Sequence, residues 1–467
     1  MSGLLAAIEL RRAGHDPVVF EKADRLGGTW RDNTYPGLSC DVPAHSYTYS
    51  FARNPDWSQH YATGPEIQRY FERVAREQGL LELIRFGDGV TSLVWTGAGW
   101  DLTTASGHRD HVAAVIAATG VLHHPKMPDI EGLGTFAGAV FHSARWDHSV
   151  PLDGRRVGVI GTGSTAVQVT SALVDRIAEF SLFQRTAQWV LPADNPEYTP
   201  EQQAAFRADP AAHEAYVREL AITMFRRTTS AVTEAGSVEH AKVAALCRRN
   251  LERVRDPELR ALLTPDYEPM CKRLIIAGDF YEKIQQPNAR LVTDRIAHVE
   301  AGGVRTVDGA RHDLDVLVLG TGFHPDRFIR PTEVRGVDGV DLDDVWSPSP
   351  VAYLSVAVPG FPNLFLLNGP NSPIGNFSLI EVAERQMAYV LQVMGRLDDD
   401  TVGLMPTTTA TAAFEAERRE AALGTIWMSG CDSWYLDATG VPASWTFSYE
   451  RFVDEMRAPD PAAFELV

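Results

Sequence analysis

The chain has 467 residues, enough for about three domains with large cores, and acidic residues outnumber basic ones 61 to 43 for a formal charge of −18. No block of Lys or Arg offsets that charge, which argues against nucleic acid or an anionic membrane as partner. Cys40, Cys247, Cys271 and Cys431 are too few and too scattered for a disulfide framework, and no pair has C-x-x-C or C-x-x-x-x-C spacing. No run reaches the roughly 18 apolar residues of a membrane span. No basic-then-apolar leader opens the chain, so a cytoplasmic location is expected, and no metal.

The chain opens on a helix. Leu4, Leu5, Ile8 and Leu10 among alanines make an apolar stripe that stops at Gly14, a natural residue just past a helix end. Pro17-Val18-Val19-Phe20 then reads as a buried strand. Glu21 at its end stands 18 residues after Gly3, close to the roughly 20 between a dinucleotide turn and the acid that holds a ribose. Next come Gly27-Gly28-Thr29-Trp30-Arg31-Asp32-Asn33, Tyr35-Pro36-Gly37 and Cys40-Asp41-Val42-Pro43. Paired glycines and a Y-P-G turn allow close backbone approach, as a flat ring system requires. Residues 65–85 look helical and 86–118 look like short strands. The apolar run Val112 to Ala118 ends in Ala118-Thr119-Gly120, a strand-to-turn crossing that recurs at Gly320-Thr321-Gly322-Phe323.

Residues 136–147, FAGAVFHSARWD, lie between two halves that each look built for a dinucleotide. Phe136, Gly138, His142, Trp146 and Asp147 fall at offsets 0, 2, 6, 10 and 11, and a histidine between two units can accept and donate at once. Arg155 to Ile160 is a strand, and Gly161-Thr162-Gly163-Ser164-Thr165-Ala166 opens a helix. This is G-x-G-x-x-A in strand–turn–helix context, where the helix N-terminus can carry a pyrophosphate. The next strand runs from about Glu179 to Phe183 and ends in Gln184-Arg185-Thr186. Glu179 stands at its start and cannot reach a ribose at its end. An arginine in place of the acid favours NADPH over NADH.

Residues 195–268 turn helical. Thr199-Pro200 with Gln202 makes a capping box with proline at the first helical position, Asp256-Pro257 repeats that start, and Ser237 to Val254 is rich in Ala, Leu and Arg. No residue in this stretch carries an obvious chemical role. Lys272-Arg273 follows Cys271 and precedes the apolar Leu274-Ile275-Ile276. The last third holds Pro359-Gly360-Phe361-Pro362-Asn363-Leu364-Phe365, Gly369-Pro370-Asn371-Ser372-Pro373, then Leu379 and Cys431-Asp432-Ser433-Trp434-Tyr435.

The pattern F-x-G-x-x-x-H-x-x-x-W-[PD], the GGTW…YPG…D run and the paired A-T-G turns resemble the type I Baeyer–Villiger monooxygenases, a branch of the flavin-containing monooxygenases. The resemblance runs from Ser2 to about Phe452. It implies an α/β fold with two Rossmann-like dinucleotide-binding domains, for FAD and NADPH, and a helical insertion. It also implies that the first strand of the FAD domain is missing: Ser2-Gly3-Leu4 supply only the tail of the family's G-x-G-x-S-G-L, and an internal methionine taken for the start is the expected cause. The implied organisation is residues 1–137 for the first part of the FAD domain, 138–149 as a fingerprint linker and 150–194 for the first part of the NADPH domain. Residues 195–269 are the insertion, 270–328 the second part of the NADPH domain and 329–467 the second part of the FAD domain.

By the same resemblance Gly3, Glu21, Gly28, Thr29, Trp30 and Asp32 bind FAD, Tyr47 backs it, Val90 meets the adenine and Leu379 lies just beyond the flavin-covering loop. Gly161, Gly163, Ser164, Thr165, Arg185, Thr186 and Lys272 bind NADPH, with Lys272 at the 2′-phosphate. Arg273 faces the flavin as the catalytic cation, and Asp41, beside the nicotinamide, orients it. The implied reaction is reduction of FAD by NADPH, addition of dioxygen to give a peroxyflavin, and attack on a ketone to give an ester or lactone. The implied partners are a small ketone and dioxygen, with no nucleic acid, no membrane and no obligatory protein partner. The absence of a redox-active cysteine pair sets aside the flavin disulfide reductases. Two alternatives stay open: an S- or N-oxygenating flavin monooxygenase, against which Trp146-Asp147 argues, and an inactive truncated nucleotide-binding module. Trp445-Thr446 stands where the family often has Trp-Pro, which leaves the shape of the substrate pocket open.

Overall fold

Short apolar runs of β-branched residues form the central sheet of this computed structural model, which describes residues 1–373, 377–397 and 402–467, with backbone alone at 225–227 and 230. Its five parallel strands run in the order Ala289–Val292, Glu179–Phe183, Arg156–Ile160, Val316–Leu319 and Ala139–His142. Val316–Leu319 is buried at every position, as expected of an inner strand covered on both faces. The edge strand is the second half of the F-x-G-x-x-x-H pattern, ending on its histidine. Within the expected linker over 138–149, Ala139–His142 is strand. Ala139, Val140 and Phe141 pair in register with Val316, Leu317 and Val318, and only the short turn Ser143–Arg145 and the residues after it lie outside the sheet.

Two backbones meet closely at the carboxyl ends of these strands. Gly161 has φ 116, and a Cβ there would lie 2.2 Å from the Gly320 carbonyl oxygen. No other residue fits where the two turns cross. Gly138 is demanded by space alone, since a Cβ would come within 2.3 Å of the Asp315 carbonyl and 2.6 Å of the Phe136 ring. The first and third residues of the fingerprint thus constrain each other.

The first helix spans Ser2–Arg12, and Gly14 beyond it has φ 87. It packs Leu4, Leu5 and Ile8 against Ile380, Ala383 and Met387 of the helix Leu379–Met394. Val19–Glu21 pairs in parallel with Ile84–Phe86, and Val115–Ala117 with Leu364–Leu366. Among the described residues no strand joins these two pairs. A four-stranded sheet of Glu333–Arg335, Val90–Trp95, Trp100–Thr104 and Arg109–Val112 completes this unit. Among the described residues no helix is long and apolar enough to cross a membrane.

The insertion consists of helices Pro200–Ala208, Pro210–Thr233, Val238–Leu251 and Pro257–Leu262. Thr199 and Gln202 form the expected capping box, at 3.2 and 2.8 Å. Its residues have a role the sequence did not disclose: they clamp onto the first unit. Arg53 pairs with Glu214 at 2.8 Å. His45 Nδ1 lies 2.7 Å from His213 Nε2, with Tyr198, Phe206 and Tyr216 around the His45 ring. His45 Nε2 has no partner among the described residues. A bare acceptor is cheaper to bury than an orphaned N–H, so the proton belongs on Nδ1 and is donated to His213.

Burial, then the neighbouring His213, His60 and Arg53, push His45 down to about 3. An unfolded histidine titrates near 6.5, so the unfolded chain binds the extra proton between those values. The stability that the neutral ring contributes is whole above pH 6.5 and is lost as pH falls towards 3. Urea midpoints measured from about pH 7.5 down to 4.5 are expected to fall on acidification, and less steeply in His45→Asn. An equally steep fall in both proteins would remove His45 from the account.

Candidate active site

Arg273 meets Asp41 where the two nucleotide units face each other. The guanidinium donates to Asp41 Oδ2. Asp41 comes from the loop after Tyr35-Pro36-Gly37, and Arg273 from the segment just before the strand Ile275–Ile276, which pairs with Val190–Leu191. The loop is seated on the central unit: Tyr35 Oη donates to Gln168 Oε1 at 2.9 Å, and Gln168 Nε2 donates to the Ser39 carbonyl at 3.1 Å. The field of Asp41, working against burial, holds Arg273 well above the ordinary arginine range. It is charged at every working pH. Burial, then Asp41, pushes the Cys40 thiol up, so Cys40 stays protonated and is no nucleophile. Trp30 Nε1 donates to Tyr47 Oη at 3.2 Å, and burial raises the Tyr47 hydroxyl above its ordinary range.

The second Gly-rich turn has the features of an anion cradle. Ser164–Leu173 is helical with Gly163 capping it, and no side chain takes the cap position's hydrogen bond. A Cβ on Gly163 would meet nothing within 4 Å, so the start of this helix is open and packing does not demand the glycine. Thr162 Oγ1 donates to the Thr186 carbonyl at 2.8 Å, which ties the turn to the end of Glu179–Phe183, and Thr165 Oγ1 lies 3.4 Å from Tyr35 Oη. Arg185 is exposed and has no hydrogen bond or ion pair among the described residues. Lys272 lies over the Tyr267 ring at 4.7 Å. Burial lowers the Lys272 pKa; nearby Asp432 and Asp266 work against that, and Arg185 adds a smaller depression. Neither Arg185 nor Lys272 is ion-paired with a carboxylate among the described residues.

On the first unit Glu21 ends its strand as expected. Its Oε1 accepts from the Ala23 N–H at 2.9 Å and meets Arg31 at 3.2 Å. Arg31, which sequence reasoning did not assign, gathers Glu21 and Asp32. It holds Asp32 in a two-point contact at 2.8 and 3.2 Å, and donates to the Arg25 carbonyl at 2.7 Å. Thr29 opens the one-turn helix, with its hydroxyl accepting from Asn33 at 3.1 Å. Gly28 caps that helix. Gly3 lies in the first turn of the first helix, against Ala118. The Val90 carbonyl accepts from Thr332 Oγ1 at 2.9 Å. The Leu379 carbonyl accepts from Asn368 at 3.3 Å, and Asn368 also donates to Ser2 Oγ at 3.1 Å.

The fingerprint bridges the units. His142 Nε2 donates to the Gly322 carbonyl at 3.1 Å, and its Nδ1 accepts the Ala144 N–H at 3.1 Å. That fixes one neutral tautomer, and burial lowers the ring's pKa. Trp146 packs edge-on to Phe141 at 4.9 Å. Asp147 accepts twice from Ser149, through N–H and hydroxyl, which lowers its pKa and makes it a turn-former. Next to it, His148 reaches Thr34 at 2.8 Å.

Comparison with known proteins decides the family. The flavin-binding monooxygenase-like model matches residues 1–202. The chain is 49% identical over 432 residues to an uncharacterized monooxygenase of Mycobacterium bovis, covering 92% of this chain and 87% of that one. It is 37% identical to a Baeyer-Villiger monooxygenase of Streptomyces coelicolor, across 100% of this chain and 91% of the relative. The chain belongs to the Baeyer–Villiger branch of the flavin-binding monooxygenases. The solved structure of cyclohexanone monooxygenase from Rhodococcus sp. Phi1 bound to NADP+ matches it with a TM-score of 0.86 at 29% identity, over 100% of this chain and 97% of that one. The enzyme is a flavin-dependent monooxygenase, and FAD and NADPH are its cofactors.

Two residues escaped the sequence reading, and one expectation fails. Cys271 and Cys431 form a disulfide across 160 residues, where four scattered cysteines suggested none. Only the fold brings them together; Cys40 and Cys247 stay free and buried. The placement of Arg185 leads to a direct check. Arg185→Ala is expected to raise the Michaelis constant for NADPH far more than for NADH, since only NADPH offers a phosphate to the guanidinium. Equal weakening of both coenzymes in steady-state kinetics would make Arg185 a structural residue.

Proposed function

We propose that the enzyme inserts one atom of dioxygen into a small-molecule ketone to give an ester or lactone. The observation that carries this reading is Arg273, a permanent cation fixed by Asp41 at the meeting of the two nucleotide units. Bound there, FAD would activate dioxygen with electrons that NADPH supplies. Arg273 faces negative charge as it develops on oxygen. A fixed positive group does this with little reorganisation, and its effect is largest where water is kept out. Asp41 keeps the guanidinium in place and tempers its charge.

We assign FAD binding to residues 1–137 and 329–467, with the first helix at Gly3, Glu21, Gly28, Thr29, Trp30 and Asp32 in contact with it. Val90 and Leu379 complete that site. NADPH binding falls to residues 150–194 and 270–328, with Gly161, Gly163, Ser164 and Thr165 at the pyrophosphate and Arg185, Thr186 and Lys272 at the 2′-phosphate end.

Arg273→Ala is expected to lower ester formation by about 100-fold or more while NADPH still reduces the flavin measurably. Product analysis against a panel of small ketones, with anaerobic stopped-flow reduction as the control, reads both. Ester formation near the unmodified rate would sink the assignment of Arg273.

A further inference from the structure

The start of the first helix is tied to the start of the helix Leu379–Met394 by one side chain, Asn368. Its Nδ2 donates to Ser2 Oγ at 3.1 Å and to the Leu379 carbonyl at 3.3 Å. A carbonyl only accepts, so the amide cannot be flipped without setting two acceptors against each other. Asn368 is 4% exposed, yet its Oδ1 has no hydrogen-bond partner among the described residues. Asn371 Oδ1 and Ser378 Oγ, both buried, share that condition, and Ser378 stands at the N-cap of its helix without making a cap bond. Three buried polar groups without partners, in one turn and the helix start after it, need a common cause. Asn368 is also held still. Its φ is 54, a left-handed conformation that asparagine tolerates better than most residues. Gln386, fully buried in the helix, secures it: Oε1 accepts the Asn368 N–H at 2.7 Å, and Nε2 donates to Ser372 Oγ at 3.2 Å. The Ser372 carbonyl in turn accepts from Ser444 Oγ at 3.2 Å and from the Trp445 N–H at 3.3 Å. One glutamine thus fixes both ends of the turn from Asn368 to Ser372.

We propose that Asn368 Oδ1 accepts a hydroxyl of the ribityl chain of FAD, and that Gln386, acting through Asn368, is the residue that positions it. This rests on the placement of FAD at the first helix and at Leu379. The covalent order of FAD selects the group: the ribityl chain joins the pyrophosphate to the ring system and carries hydroxyls along its length. The first helix offers its N–H groups to the pyrophosphate, and Arg273 with Asp41 marks the place of the ring. A side chain bonded both to Ser2 and to the Leu379 carbonyl lies along the connection between them. A hydroxyl there donates to Asn368 and leaves no buried acceptor bare.

The test reconstitutes the full chain with FAD and with 2′-, 3′- and 4′-deoxy-FAD, and reads dissociation constants from the quenching of flavin fluorescence. One of the deoxy cofactors should bind about fivefold more weakly than FAD, the scale of one net hydrogen bond. Asn368→Ala should weaken FAD by at least as much, and should no longer distinguish FAD from that deoxy cofactor. Gln386→Leu, which offers no acceptor to the Asn368 N–H, should lose the same discrimination. Gln386→Glu keeps an oxygen at that place and should restore it. The unmodified chain decides without any variant: equal affinity for FAD and for every deoxy cofactor would overturn the proposal. Discrimination retained in Asn368→Ala would overturn the role of its oxygen, and discrimination retained in Gln386→Leu would overturn the positioning role. FAD affinity left unchanged by Glu21→Ala would instead overturn the placement of the cofactor beneath it.

Discussion

The ion pair between Asp41 and Arg273 joins groups 232 residues apart, and the chemistry of the site depends on that closure. Asp41 rides on a loop of the first unit and Arg273 on a segment of the central one, so the pair exists only when the two units are packed face to face. About a third of the Arg273 side chain stays exposed. Its desolvation is therefore partial, and the attraction to Asp41 is not consumed in offsetting burial, as it is for a fully enclosed pair. The result is a cation that cannot lose its proton and cannot swing freely, in the place where two redox cofactors would approach each other.

The closure is supported by backbone rather than by side chains alone. Gly161 lets the first turn of the central unit pass against Gly320. The next turn, at Gly322, is caught by His142, which donates to its carbonyl while accepting from Ala144. A neutral histidine in one tautomer thus stitches the edge strand of the central sheet to the chain's return towards the first unit. Protonation would put a second N–H on that ring and turn its acceptor into a donor facing an amide. Burial of the ring, which lowers its pKa, guards against this. The insertion adds an outer brace through Arg53–Glu214 and His45–His213.

Much of this was legible because its signals are local. The Gly161-x-Gly163 turn, the strand ending before Arg185 and the capping box at Thr199 each announce themselves within a few residues, and each stands where the sequence puts it. The pairing of Asp41 with Arg273 was legible only through family resemblance, since a lone loop aspartate and an adjacent Lys-Arg say nothing of each other. What stayed hidden is non-local and chemically ordinary in sequence. His45 and His213 carry no motif, and Cys271 and Cys431 stand too far apart for any spacing rule. Arg31 carries no signal in the sequence, yet the fold places Glu21 and Asp32 against its guanidinium. The strand Ala139–His142 was taken for linker because four residues of mixed polarity give no clear period; its partner strand supplies the order.

The most direct measurement of the central claim is isotopic. The enzyme, loaded with FAD and given NADPH, a small ketone and 18O-labelled dioxygen, should return an ester or lactone carrying one labelled atom, in step with the NADPH consumed. NADPH consumption that yields hydrogen peroxide with the ketone untouched, or a label that goes into a sulfide and never into any ketone tried, would contradict the account.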